Sequence, residues 1–90
     1  MRGRMTFEVA ETLALKGLSY LVRSADDLER FVAMSGLDTE SLRARAGETE
    51  LLTAVLDFML THEQLLMGFC DDESVDSREV HMARHVLSGG

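Results

Sequence analysis

SADDLERFVAMSGLDTESL, residues 24–42, holds one complete helix and the start of the next. Ser24 stands where an N-cap acceptor is wanted, and Asp26 and Asp27 follow in the first turn, where the helix macrodipole favours acids. Leu28, Phe31 and Val32 recur at the spacing of one buried helical face. Gly36 suits the left-handed C′ position that stops a helix, because it carries no Cβ. Leu37, at C″, can fold back on Val32. Asp38 is then the next N-cap, flanked by Leu37 and Leu42 as a hydrophobic staple. A capped helix, a left-handed stop and a second capped helix predict an all-α chain.

Working outward, Thr6 caps a helix that runs to about Arg23, with Phe7, Ala10, Leu13, Ala14, Leu18 and Leu21 in one stripe. Val9 and Tyr20 widen the stripe on one side, and Leu15 and Val22 on the other. An arc this wide predicts a helix contacted from several directions. Downstream, the helix after Asp38 ends at Gly47, and Thr49 or a neighbour opens a second long helix with Leu51, Leu52, Val55, Leu56, Phe58, Met59 and Leu60. Its polar strip is Glu50, Thr53 and Asp57. Thr61-His62-Glu63-Gln64 reads as a capping box that ends this helix and begins another, with Leu65, Leu66 and Phe69 inside. Asp71-Asp72-Glu73-Ser74 reads as an acidic loop. Asp76 and Glu79 form another capping box, with Val75 and Val80 as staple, and the last helix runs through Leu87. The fold expected is a compact bundle of about six helices in one domain over 1–90, with 1–5 and 88–90 frayed.

The six helices fall into two sets of three. A shift of 38 residues carries Phe31 onto Phe69, Leu13 onto Leu51, Leu18 onto Leu56, Tyr20 onto Phe58 and Leu21 onto Met59. It also carries Leu28 onto Leu66, Val32 onto Cys70, Leu37 onto Val75, Asp38 onto Asp76 and Leu42 onto Val80. Apolar periodicity alone generates many such matches. A true duplication predicts more: an approximate two-fold axis relating the halves.

Composition narrows the function classes. Hydrophobic residues make up 46% of the chain, enough to drive folding, and proline is absent, so glycines and caps must separate the helices. The formal charge of −7 disfavours nucleic acid and anionic membrane as partners. No Lys or Arg lies between Arg45 and Arg78, whereas Glu48, Glu50, Asp57, Glu63, Asp71, Asp72, Glu73 and Asp76 all do. That zone is a solvated acidic face or a docking surface for a basic partner. One cysteine, the lack of a signal peptide and short apolar runs point to a cytoplasmic protein outside the membrane.

Each arrangement that could carry chemistry has a plainer reading. His81 and His85 have the i,i+4 spacing of metal ligands, but they fall on the solvent side of their helix beside Arg84 and lack a metalloprotease glutamate. Cys70 precedes three acids, which raise a thiol pKa, and it aligns with Val32 as a small buried hydrophobe. Gly17, Gly36, Gly47 and Gly68 stand alone, so they form no phosphate loop, and the acidic run lacks the spacing of a calcium loop. Met34, Met59, Met67 and Met82 are core filler or an adaptable surface. Residues 28–46 have a helix-turn-helix cadence with Arg43 and Arg45 on the second helix, although two bases on an acidic domain make a poor duplex binder. The terminal Leu87-Ser88-Gly89-Gly90 is a glycine-closed helix end.

Leu28-Glu29-Arg30-Phe31, Ser35-Gly36-Leu37, Leu42-Arg43 and Ala54-Val55-Leu56-Asp57-Phe58, continued by Glu63, Leu65, Leu66 and Phe69, resemble the domain of unknown function 3572 family, short helical proteins of alphaproteobacteria. The resemblance covers nearly the whole chain and implies a bacterial, cytoplasmic, stand-alone helical protein. It brings no established activity and no catalytic residues. The expectation is therefore a non-enzymatic interaction or regulatory adaptor module without cofactor or metal, binding a protein partner or itself. The alternative is a helix-turn-helix-like nucleic-acid binder. Arg30, Arg43 and Arg45 would line the corner after the second helix, and Glu50 and Asp57 the acidic strip. Alternatively these charges pair within the monomer, each pair contributing ~0–1 kcal/mol.

Overall fold

The computed structural model describes residues 4–89. Six helices follow one another: α1 Phe7–Leu21, α2 Ala25–Ser35, α3 Thr39–Ala44, α4 Thr49–Leu60, α5 Glu63–Glu73 and α6 Ser77–Leu87. The capping residues set most of these boundaries. Thr6 Oγ1 accepts from the Val9 amide at 3.1 Å, Ser24 Oγ from Asp27 at 3.4 Å, and Asp38 Oδ1 from Ser41 at 2.7 Å. Asp76 and Glu79 make the expected capping box, with Glu79 Oε2 accepting from the Asp76 amide at 3.1 Å. Gly36 stops α2 at φ +78°, and its amide donates to the Val32 carbonyl at 2.9 Å. The expected fraying at 1–5 and 88–90 falls partly outside the described residues. Met5, within them, packs against the core.

Three local expectations are corrected. Thr61 does not cap α5: its hydroxyl donates back to the Phe58 carbonyl at 2.9 Å, closing α4, and His62 occupies the N-cap position instead. Asp71, Asp72 and Glu73 are not a loop but the last turn of α5, which stops where Ser74 turns left-handed at φ +56°. Carboxylates there oppose the helix macrodipole, but α1 and the turn after it supply cations: Arg23 Nη2 lies 3.0 Å from Asp72 and Lys16 Nζ 3.6 Å from Glu73. Third, only Met59 among the four methionines is core filler; Met34, Met67 and Met82 are exposed.

The core lies between α1, α4 and α6, which pack on one another, and the fully buried Phe31 and Phe69 enter it from α2 and α5. The 38-residue shift reproduces local structure closely. Moved by 38, α2 has the bounds of α5, left-handed Gly36 falls on left-handed Ser74, and α3 starts where α6 does. The packing is reciprocal as well. Tyr20 meets Phe69 edge-on at 5.7 Å between centroids, and Phe58, the counterpart of Tyr20, meets Phe31, the counterpart of Phe69, at 5.3 Å. Residue i on j with j′ on i′ is the signature of a two-fold relation. A residue that touches its own counterpart lies on the axis, and a Cβ on Gly17 would stand 3.5 Å from Cγ1 of Val55, its counterpart. Here α1 crosses α4, and Gly17 leaves the room that Met59 fills. The two-fold relation thus holds at the centre.

It fails at the periphery. The eleven-residue α6 packs on both α1 and α4, whereas the six-residue α3 packs only lightly. The chain must leave α3 near Gly47 to begin α4, so α3 cannot extend as α6 does.

Candidate functional site

Helices α4, α5 and α6 all pack on α1, as its wide apolar arc predicts, but the short α3 leaves one flank of it open. Ala10, Leu13, Ala14, Gly17 and Leu21 are buried. Phe7, Leu15 and Val22 are 45%, 41% and 45% exposed, and Leu18 is half-buried. Phe7, Glu11, Leu15, Leu18 and Val22 form a second stripe along the whole helix, about 100° around from the buried one. At its C-terminal end the stripe enters a cleft of about 310 Å3 lined by Leu18, Ser19, Val22, Leu28, Leu42 and Arg43. The lining is predominantly apolar. Leu42 forms the buried floor, and the exposed Arg43 stands at the rim.

The second half shows what a closed version of this place looks like. The counterparts of Leu18, Leu28 and Leu42 are Leu56, Leu66 and Val80, all buried. Asp57, the counterpart of Ser19, is bound by Arg84, the counterpart of Ala46. Arg84 Nε donates to Asp57 Oδ1 and Nη2 donates to Oδ2 at 3.3 Å. The first half has a serine and an alanine at these positions, so the strap is absent; Leu42 is still buried, but Leu18 and Leu28 stay half-buried.

Four of the five charged residues singled out from the sequence are held in ion pairs within the chain. Arg45 pairs with Glu48 at 2.9 Å and with Glu50 at 3.8 Å, at the α3–α4 corner. Asp57 faces α6 through Arg84, and Arg30 lies 3.8 Å from Asp27 in its own helix. Arg43 alone of the five makes no ion pair among the described residues. The cleft itself was missed in the sequence. The signal that could have revealed it was the repeat, in which Asp57 and Arg84 align with Ser19 and Ala46.

The other candidate groups are placed plainly. His81 and His85 are both exposed on α6, and no cluster of three metal-ligating side chains occurs among the described residues. Burial, then the carboxylates of Asp76, Asp71 and Glu79, push the Cys70 thiol above its ordinary pKa, which suits an inert thiol better than a nucleophile. The helix–Gly–helix corner exists, but the helix bearing Arg43 has only six residues and lies among Asp38, Glu40, Glu48 and Glu50. No helix among the described residues is long and apolar enough to cross a membrane.

Comparison with curated proteins and with solved structures gave no match. A family model does match, over residues 7–90, which takes in all six helices and both walls of the cleft. On that match the chain belongs to the family described as protein of unknown function DUF3572.

Proposed function

We propose that the chain is a non-enzymatic interaction module, acting in the cytoplasm, that docks a protein on the outer stripe of α1 and the cleft at its end. The observation that carries this reading is the contrast between equivalent places. Leu56 and Leu66 are buried in the half that carries the Asp57–Arg84 pair, whereas their counterparts Leu18 and Leu28 stay half-buried beside the unstrapped Ser19 and the exposed Val22. Soluble monomers seldom keep a contiguous apolar patch without using it, and the other half of this fold demonstrates that the same scaffold can hide one. Arg43 at the rim gives the cleft a charge with which to orient what binds. Nucleic-acid binding is the weaker reading, because Arg45 is already paired and acids surround the short α3.

The test is a photo-crosslinking amino acid at Val22, compared with one at Met34, which is as exposed but lies outside the cleft. In living cells the Val22 probe is expected to give a discrete protein adduct that Leu28→Glu abolishes. Equal labelling at both positions, or none at Val22, refutes a docking role for the cleft.

A further inference from the structure

We propose that the occupant of this surface is a second copy of the same chain, its α1 antiparallel to the first about a two-fold axis near Leu15. This rests on the docking reading above and names its partner. A stripe centred on Leu15 has Phe7 eight residues to one side and Val22 seven to the other. Antiparallel pairing therefore brings Phe7 of each copy to the level of Val22 of the other, beside the cleft. The side chain available to fill an apolar cleft is thus an exposed aromatic on the same stripe.

Charge fits the same arrangement. Glu8 and Glu11, in the N-terminal half of α1, and Arg43, beside its C-terminal half, make no ion pair among the described residues. Glu11 of the second copy falls level with Ser19, which lines the cleft together with Arg43. The unpaired carboxylate and the unpaired guanidinium meet twice, once on each side of the axis. A parallel arrangement would set Glu8 and Glu11 against their own copies. The contact is isologous, so a dimer closes it and no filament forms. A helix of fifteen residues is only about 22 Å long, which places the interface at the small end of specific contacts and its affinity in the micromolar range.

Sedimentation velocity on the full chain, from ~1 to ~200 μM, tests this. The wild type is expected to pass from monomer to dimer. Leu15→Glu sets two carboxylates together on the axis and is expected to remain monomeric with unchanged helical circular dichroism, since Leu15 is an exposed position. Glu11→Arg and Arg43→Glu should each weaken the dimer at least tenfold. Mixed in equal amounts they should restore it, because each carries the charge the other lacks. A monomeric wild type across the range, or a mixture no tighter than either variant alone, overturns the proposal. A Val22 crosslink to a different protein alongside a monomeric chain would overturn the dimer while leaving the docking reading in place.

Discussion

Gly68 and Tyr20 offer a decisive test of how the two halves interlock. Gly68 lies in the interior of α5, where glycine ordinarily costs about 0.5–1 kcal/mol relative to alanine. Here a Cβ would overlap Tyr20 Oη, while remaining 3.4 Å from Cζ. The phenol cannot swing away freely, because its ring is held edge-on to Phe69 and lies 4.7 Å beneath the Arg23 guanidinium. Overpacking of this kind costs about 1–3 kcal/mol, so Gly68→Ala should be neutral or destabilising by up to about 2 kcal/mol once the helix gain is deducted. Removing the hydroxyl reverses the sign. In a Tyr20→Phe background the nearest ring atom is at ordinary contact distance, and Gly68→Ala should stabilise by about 0.5–1 kcal/mol. The coupling across the cycle is therefore about 1–3 kcal/mol, read by urea denaturation or as several degrees in Tm for a domain of this size. Equal stabilisation by Gly68→Ala in both backgrounds would refute the claim that Tyr20 Oη occupies this space.

Two further outcomes follow from the helix ends. Gly36 and Ser74 hold the same left-handed conformation, so substitutions there should act in opposite directions. Gly36→Ala is expected to destabilise by about 1 kcal/mol and Ser74→Gly to stabilise by up to about 1 kcal/mol; equal signs in thermal melts would contradict the assigned turns. Backbone hydrogen bonds from Ser41 and Arg78 respectively hold the carboxyls of Asp38 and Asp76 below their ordinary pKa. A group whose pKa is lowered on folding stabilises above its unfolded value and loses that contribution as pH falls through the folded one. The two caps should therefore act fully above about pH 4 and fade below it. Asp38→Asn with Asp76→Asn, which keep an acceptor without the charge, should flatten the acid limb of stability against pH; an unchanged slope would show that other carboxylates govern it.

What could be read from the chain was what nearby residues decide. Asp38, Asp76 and Glu79 cap where their spacing says, because an N-cap needs a β-region residue and an acceptor within one turn. Gly36 stops α2 for an equally local reason. The expectations that failed depended on partners distant in sequence. Asp71–Glu73 read as loop because carboxylates at a helix C-terminus are unfavourable, and the cations that permit them are Lys16 and Arg23, more than forty residues away. Leu15 and Val22 read as core because apolarity alone cannot say whether an opposing helix arrives. At the matching place in the second half α6 does, and the difference lies in the length of α3 and in Ser19 and Ala46 standing where Asp57 and Arg84 pair.

That difference also bears on how the fold became functional. A symmetric pair of three-helix units would have two equivalent flanks, both closed or both open. At the centre the pairing is kept, through Tyr20 with Phe69 and Phe58 with Phe31, where aromatic contacts each add about 0.5–1.5 kcal/mol beyond their area. At the flank it is given up, since one unit carries a long α6 with the Asp57–Arg84 strap and the other a short α3 beside an open cleft. The central contacts are those that removing either half would destroy, so they answer to stability. The flank answers to something else: closing the first cleft as the second is closed would bury Leu18 and Leu28, whose counterparts Leu56 and Leu66 are buried, and stabilise the monomer. The monomer forgoes that stabilisation at the end of α1 where Arg43 stands exposed, while Phe7 stands exposed at the other end, and a surface shared with an antiparallel second copy is the arrangement that recovers it.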